Sequence, residues 1–440
     1  MIWVRVLAEQ GMRSLLRKVF EEVRNELSHM HCARAYSFNR SLCRVAKEGG
    51  YRGSALLISH NLNLEGAPIG LLNIAKYLKS NGYLLEVISP NDGELRSEYL
   101  NHGIPVFIIP RLRNLCLTQD KTLKLLMVSF DIVIANTILM YFIIPFVHSF
   151  PRQRKTRVIW IIRESPSPED FCNQVGITQE ALSLVFQNAD KVIFLCTATR
   201  RIFERFNKEN NFLVIYESID YEYSLELLRS SDFHLDNSSF NVLSVGTIYP
   251  SKGQDVLIDA ALRILKQHER NFRFYIVGKV GDKHFYQSIK RQAEQRGLNR
   301  IIFTGELSRR RVLSCFAECN VFVLASRQES FPTVVLEAMA FAKPIVASGV
   351  FGVFEQIENE QSGLIFTAGN REELVRCLLR IYDDRKLSAT IGKRAQLEFL
   401  SRFRLSTMGA QYVHLIESLT NRGQATETES PRACAQGKVK

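Results

Sequence analysis

The chain has 440 residues, 46% of them apolar and 23% charged, which is enough for two domains with full cores and ordinary for a globular protein. Its formal charge of +12 and isoelectric point near 9.3 imply attraction to something anionic: a membrane surface, nucleic acid or a phosphorylated substrate. Nine scattered cysteines read as reduced, buried thiols of a cytoplasmic protein, and the close pair Cys315 and Cys319 has no second Cys or His cluster that would complete a zinc site.

Residues 1–52 stand outside the main pattern. Met12, Leu15, Leu16, Val19, Phe20, Val23 and Leu27 recur at helical spacing, which predicts an amphipathic helix, packed on the first domain or lying on anionic lipid. The opening Met1-Ile-Trp-Val-Arg-Val is too short an apolar run for a signal peptide.

From Ala55 strands and helices alternate. Strands are predicted at 55–59, 84–89, 106–109, 132–135, 158–162, 192–195 and 212–215, with a helix over 69–78 after the first. Such spacing predicts a doubly wound parallel sheet. Ile132 to Phe150 carries no Asp, Glu, Lys or Arg, yet Asn136, Thr137, Pro145 and His148 make it a buried strand leading into a buried helix rather than a membrane span. The loop after the first strand offers only Gly66 and Gly70, so neither a dinucleotide fingerprint nor a phosphate loop is present. Arg163 and Glu164 end another strand at the expected cleft edge, where they meet an acceptor or form an ordinary ion pair.

Tyr221 to Ser239 is polar and serine-rich and reads as a linker. A second alternating series then opens with Phe240-Asn-Val-Leu-Ser-Val-Gly-Thr-Ile-Tyr-Pro-Ser-Lys-Gly253, and further strands are predicted at 273–278, 301–306, 321–325, 344–348 and 363–366. Arg309-Arg310-Arg311 reads as a solvated helix start. Residues 397–419 are predicted to be a terminal helix, and 420–440 to lack fixed structure.

The densest chemistry lies in Ser326-Arg-Gln-Glu-Ser-Phe-Pro-Thr-Val-Val-Leu-Glu-Ala-Met-Ala340, between a buried strand and a helix. Ser330 is expected to cap that helix and Pro332 to sit in its first turn. The amides of Phe331, Thr333 and Val334 then form an anion site. Glu329 and Glu337, eight residues apart, bracket it with paired acceptors suited to hydroxyls. A nucleotide sugar carries both groups.

Glu329, seven residues, Glu337, then Ala-Met-Ala and Pro-Ile-Val-Ala, resembles the donor signature of the retaining GT-B-fold glycosyltransferases of group 1, or family 4. Val245-Gly246-Thr247 through Lys252-Gly253 resembles a second motif of that family. The resemblance covers about 55–419 and implies two Rossmann-like domains facing across a cleft: an acceptor domain at 53–220, a linker at 221–239, a donor domain at 240–396, and a helix at 397–419 crossing back to the first domain. It further implies transfer of a hexose, with retention, from a UDP- or GDP-linked sugar to a glycan or lipid-linked acceptor.

By that resemblance Glu337 binds the donor ribose and Glu329 faces the transferred sugar. Lys252 holds the diphosphate with Gly246 and the 330–333 segment, that is Ser330, Phe331, Pro332 and Thr333. Gly66 brings first-domain backbone to the phosphate, and Glu306, Leu307 and Ser308 border the base. Three positions depart from the pattern. Thr247 stands where the family commonly has Arg, Asn136 where it often has His, and Ala67 where a second Gly is usual. An inactive homologue that binds glycans or proteins is the alternative these departures leave open. No Asp-x-Asp occurs, so catalysis is expected to need no metal. Nucleic acid is not an expected partner, since no aromatic-basic interleaving accompanies the charge; an anionic membrane surface is.

Overall fold

The computed structural model describes residues 50–149, 156–229, 231–267, 270–294 and 299–420. Short runs rich in Val, Ile, Leu and Phe form two wholly parallel sheets. The first holds β1 (Gly53–Ile58), β2 (Tyr83–Ser89), β3 (Val106–Ile108), β4 (Ile132–Asn136), β5 (Arg157–Ile162), β6 (Lys191–Phe194) and β7 (Phe212–Val214), in the order β3-β2-β1-β4-β5-β6-β7. The second holds β8 (Phe240–Val245), β9 (Phe272–Val277), β10 (Ile301–Gly305), β11 (Val321–Leu324), β12 (Ile345–Ser348) and β13 (Leu364–Phe366), in the order β10-β9-β8-β11-β12-β13. Every position of β1, β4 and β11 is buried, as strands covered by helices on both faces require. The expected pair of Rossmann-like domains is therefore present.

In each sheet the chain starts at a central strand, moves outward, and returns to the other side of it. The crossovers after β1 and β4, and after β8 and β11, therefore leave in opposite directions and open a crevice at the strands' carboxyl ends. Gly66 and Asn136 lie at the first crevice. Gly246, Thr247, Lys252 and residues 329–333 lie at the second.

The stretch 132–149 is strand β4, a short 3-10 turn (Ile138–Met140) and a six-residue helix (Ile143–His148). Among the described residues no helix is long and apolar enough to cross a membrane.

Two segments differ from expectation. Tyr221–Leu228, read as linker, is a helix capped by Asp220, which accepts from the Tyr223 amide at 3.2 Å. Ser224 is its one buried residue, so no apolar period marks it. It is held from outside: the Tyr221 ring meets Phe341 and Phe399 edge-on. The terminal helix is two helices, Arg385–Arg402 and Leu405–Thr420. The break falls where the chain passes between domains, with Ser218 Oγ donating to the Phe403 carbonyl at 2.9 Å and Ile219 bridging to Arg404. The second of these helices crosses the Gly66–Ser80 helix at Gly409, where a Cβ would lie 2.1 Å from the Tyr77 ring. The amphipathic pattern up to residue 49, and the tail from 421, fall outside the described residues.

Glu86, on β2 opposite Leu56, is 2% exposed, and burial pushes its carboxyl up to about 8 from 4.5. The folded chain keeps a proton that the unfolded chain loses, so stability falls as pH rises between these values, by up to about 1.4 kcal/mol per pH unit. Glu86→Gln is expected to match the wild type in urea unfolding at pH ~4 and to exceed it at pH ~8.5.

Candidate active site

The second domain builds its half of the site from two loops. After β8 the chain makes a 3-10 turn, Pro250–Lys252, and Gly253 follows at φ +66, where a Cβ would lie 2.0 Å from the Ala325 carbonyl oxygen. Only glycine allows that approach, and it sets Lys252 beside the loop after β11. Lys252 Nζ lies 2.6 Å from Glu329 Oε1, and Ser326 Oγ donates to the same oxygen at 2.8 Å. Arg327 straps the two loops: its amide donates to the Ser251 carbonyl at 2.7 Å, and its guanidinium to the Pro250 carbonyl and to both oxygens of Asp255. The Lys252–Glu329 pair is thus held by backbone on both sides.

The helix Thr333–Ala340 starts two residues later than a cap at Ser330 would place it. Pro332 occupies the cap position and no side chain caps the first turn, which leaves its leading amides open to an anion. Ser330 is not the cap. Its hydroxyl pairs with Thr199 Oγ1 at 3.1 Å, and its carbonyl accepts from the Gly352 amide at 3.0 Å and from Cys196 Sγ at 3.3 Å. Phe331 stacks on Tyr216 of the first domain, with centroids 5.3 Å apart. Beside these contacts, Glu355 reaches across and accepts from the amides of Thr197 and Ala198, each at 3.0 Å, and from Tyr216 Oη at 3.1 Å. A second-domain carboxylate therefore caps the first-domain helix Thr197–Phe203.

Glu337 is buried on the second turn of its helix and pairs with Arg309. Arg309 is therefore half-exposed but paired, where the Arg-Arg-Arg run suggests only a solvated helix start. Glu306 is exposed at the end of β10, with Leu307 half-buried after it.

The first domain supplies Gly66, whose Cβ position lies 4.0 Å from Thr333 Oγ1. Asn136 is fully buried: its Nδ2 donates to the Ala67 carbonyl at 3.0 Å, and its Oδ1 accepts from Arg163 Nε at 2.5 Å. Both ends of the amide are engaged, so it fixes the Gly66-Ala67 loop to Arg163. Arg163 forms a buried ion pair, but with Glu217 rather than Glu164. Burial holds the guanidinium below its ordinary value, with Tyr412, Glu164 and Tyr99 opposing the shift. A Cβ on Gly70 would lie 2.3 Å from Glu217 Oε2, so the pair also dictates that glycine. Glu164 is pushed up by burial against the pull of the Ile138 and Arg163 amides, from which it accepts at 3.0 and 3.1 Å.

Arg163, Glu164, Glu329 and Ser330 share a cavity of about 370 Å³ between the domains. Gln328 crosses it, donating to the Ser165 carbonyl at 3.0 Å. Among the described residues no group of three His, Cys, Asp or Glu is arranged to hold a metal ion. Arg327 stood inside the motif and was legible as a neighbour of Glu329. Glu217, Arg309 and Glu355 carried no local signal.

The sequence model described as "Glycosyl transferases group 1" matches residues 230–398, and that described as "Glycosyl-transferase family 4" matches 53–195. Two uncharacterised glycosyltransferases of Methanocaldococcus jannaschii are similar to the chain. One is 29% identical over 49% of this chain and 56% of its own length; the other is 22% identical over 78% and 92%. The crystal structure of Anabaena HepE in complex with UDP and glucose superposes with a TM-score of 0.68 at 22% identity, over 83% of this chain and all of that one.

Removing one member of a buried ion pair strands the other. Glu217→Ala is expected to lower stability by about 3–5 kcal/mol in urea unfolding, whereas substitution of an exposed pair such as Lys290 and Glu294 changes it by less than about 1 kcal/mol.

Proposed function

We propose that this chain, which belongs to the group 1 glycosyltransferases of the GT-B fold, moves a hexose from a nucleotide-diphosphate sugar to a glycan or lipid-linked acceptor, with retention of anomeric configuration and without a metal. The observation that carries the reading is the meeting of Lys252 and Glu329 at 2.6 Å beside a helix start that no side chain caps, facing Gly66 across the cleft. The UDP in the HepE complex supports a uridine nucleotide as donor, with GDP the second candidate.

In this reading the diphosphate lies on the open amides of Thr333 and Val334, and Lys252 transfers from Glu329 to a phosphate oxygen. The bond between the anomeric carbon and that phosphate breaks with its electron pair leaving on the oxygen. Lys252 and the amides stabilise the charge that develops there, and one such donor contributes about 3 kcal/mol. Glu337 accepts from the ribose hydroxyls, and its pairing with Arg309 orients it. Glu329, released by Lys252, faces the sugar. The acceptor hydroxyl bonds to the anomeric carbon and gives its proton to the departing phosphate oxygen, which balances the reaction. Arg163 and Glu164 lie on the acceptor side, and the basic character of the chain suits an acceptor presented at an anionic membrane surface in the cytoplasm.

Thermal unfolding with UDP-, GDP- and ADP-sugars tests the donor site, because a ligand at about 100 times its dissociation constant stabilises the fold by about 2.7 kcal/mol. One nucleotide class is expected to raise the melting temperature. Glu337→Ala is expected to abolish the shift, and Lys252→Ala to lower kcat by about a hundred-fold or more. No shift with any donor would overturn the enzyme reading in favour of a GT-B protein that binds glycans or partners. Pelleting with anionic but not neutral vesicles is the expected sign of the membrane acceptor; recovery of all protein in the supernatant would remove it.

A further inference from the structure

A diphosphate carries more than one negative charge, and Lys252 brings a single cation already paired with Glu329. The neighbouring residue of β8's end, Thr247, is neutral. The chain nevertheless places a second ammonium at this crevice. The loop after β9 folds down over Thr247: a Cβ on Gly278 would lie 2.0 Å from the Gly246 carbonyl oxygen, and one on Gly281 would lie 2.6 Å from Thr247 Cγ2. The Ile248 amide donates to the Lys279 carbonyl at 2.8 Å. The Lys279 backbone is thereby locked to the strand end that carries Thr247.

Its side chain crosses the cleft. Lys279 Nζ lies 2.9 Å from Glu65 Oε1 of the first domain, and Glu65 directly precedes Gly66, whose Cβ position is 4.0 Å from Thr333 Oγ1. The ammonium therefore ends one residue from the point where the first-domain loop meets the donor helix. Glu65, with Glu306 and Glu94 beyond it, favours the charged form. Both partners are partly exposed, at 43% and 39%, so the pair is open to an incoming ligand, and an exposed pair of this kind contributes little to stability in itself.

We infer that Lys279 is the second cation of the diphosphate site, resting on Glu65 as Lys252 rests on Glu329 and exchanging that carboxylate for a phosphate oxygen when a nucleoside diphosphate binds. The inference depends on the donor site proposed above. It accounts for a neutral Thr247 without loss of the site, since the missing charge comes from the adjacent strand.

Calorimetric titration of the whole chain with UDP and GDP, and with uridine and guanosine, separates the possibilities. Lys279→Ala is expected to weaken the diphosphate by about ten-fold or more and leave the matching nucleoside unchanged. Lys279→Arg retains most of the affinity, and Glu65→Gln binds the diphosphate at least as tightly as the wild type. Unchanged diphosphate binding by Lys279→Ala overturns the inference alone. So does an equal loss for nucleoside and diphosphate, reproduced by Glu65→Gln, because Lys279 would then only tie the domains. A folded wild type that binds neither diphosphate overturns the donor-site reading itself.

Discussion

A site split between two domains is only as well defined as the contact that sets their relative position, and here that contact joins side chains of each domain to loop groups of the other. The turn at residues 196–199 gives its free amides to Glu355 of the second domain, while Thr199 and Cys196 bond Ser330. Ser330 belongs to the same loop as Glu329 and the open helix start. The first domain thus grips that loop itself, and the stacking of Phe331 on Tyr216 adds an apolar wall to the grip. Any shift between domains would be felt first at Glu329 and Thr333.

Charge is arranged in the cleft by the same economy of partners. Lys252, Lys279 and Arg309 each rest on a carboxylate, Glu329, Glu65 and Glu337 in turn. These pairs keep the half-sites compatible without ligand, and each can open toward solvent on its cationic side. Arg163 differs, being buried against Glu217 and Asn136. Exchange there would leave an unpaired charge out of water, which is costly, so this group serves as a fixed post for the Gly66-Ala67 loop.

The departures of the chain from its family gain a physical meaning in this setting. Asn136 has neither end of its amide free, so its work is to hold a loop rather than to meet a sugar. Thr247 is small enough for the loop after β9 to close over it at Gly281. Ser330, legible as a helix cap, spends its hydroxyl on Thr199 instead, because the interdomain contact outbids a cap that Pro332 makes unnecessary.

The sequence by itself determined both sheets, since a buried parallel strand writes its signal in four to six consecutive apolar residues. It also determined the Glu329–Glu337 spacing and the place of Lys252, which depend on short loops whose glycines, such as Gly253, have local causes. Only the tertiary structure decided which partners these groups have. Glu217 lies 54 residues from Arg163, Lys279 lies 214 from Glu65, and Glu355 lies 158 from Thr197. No periodicity spans such separations. The helix Tyr221–Leu228 and the break at Phe403 were hidden for the same reason, because contacts with distant segments, not the residues' own pattern, hold them in place.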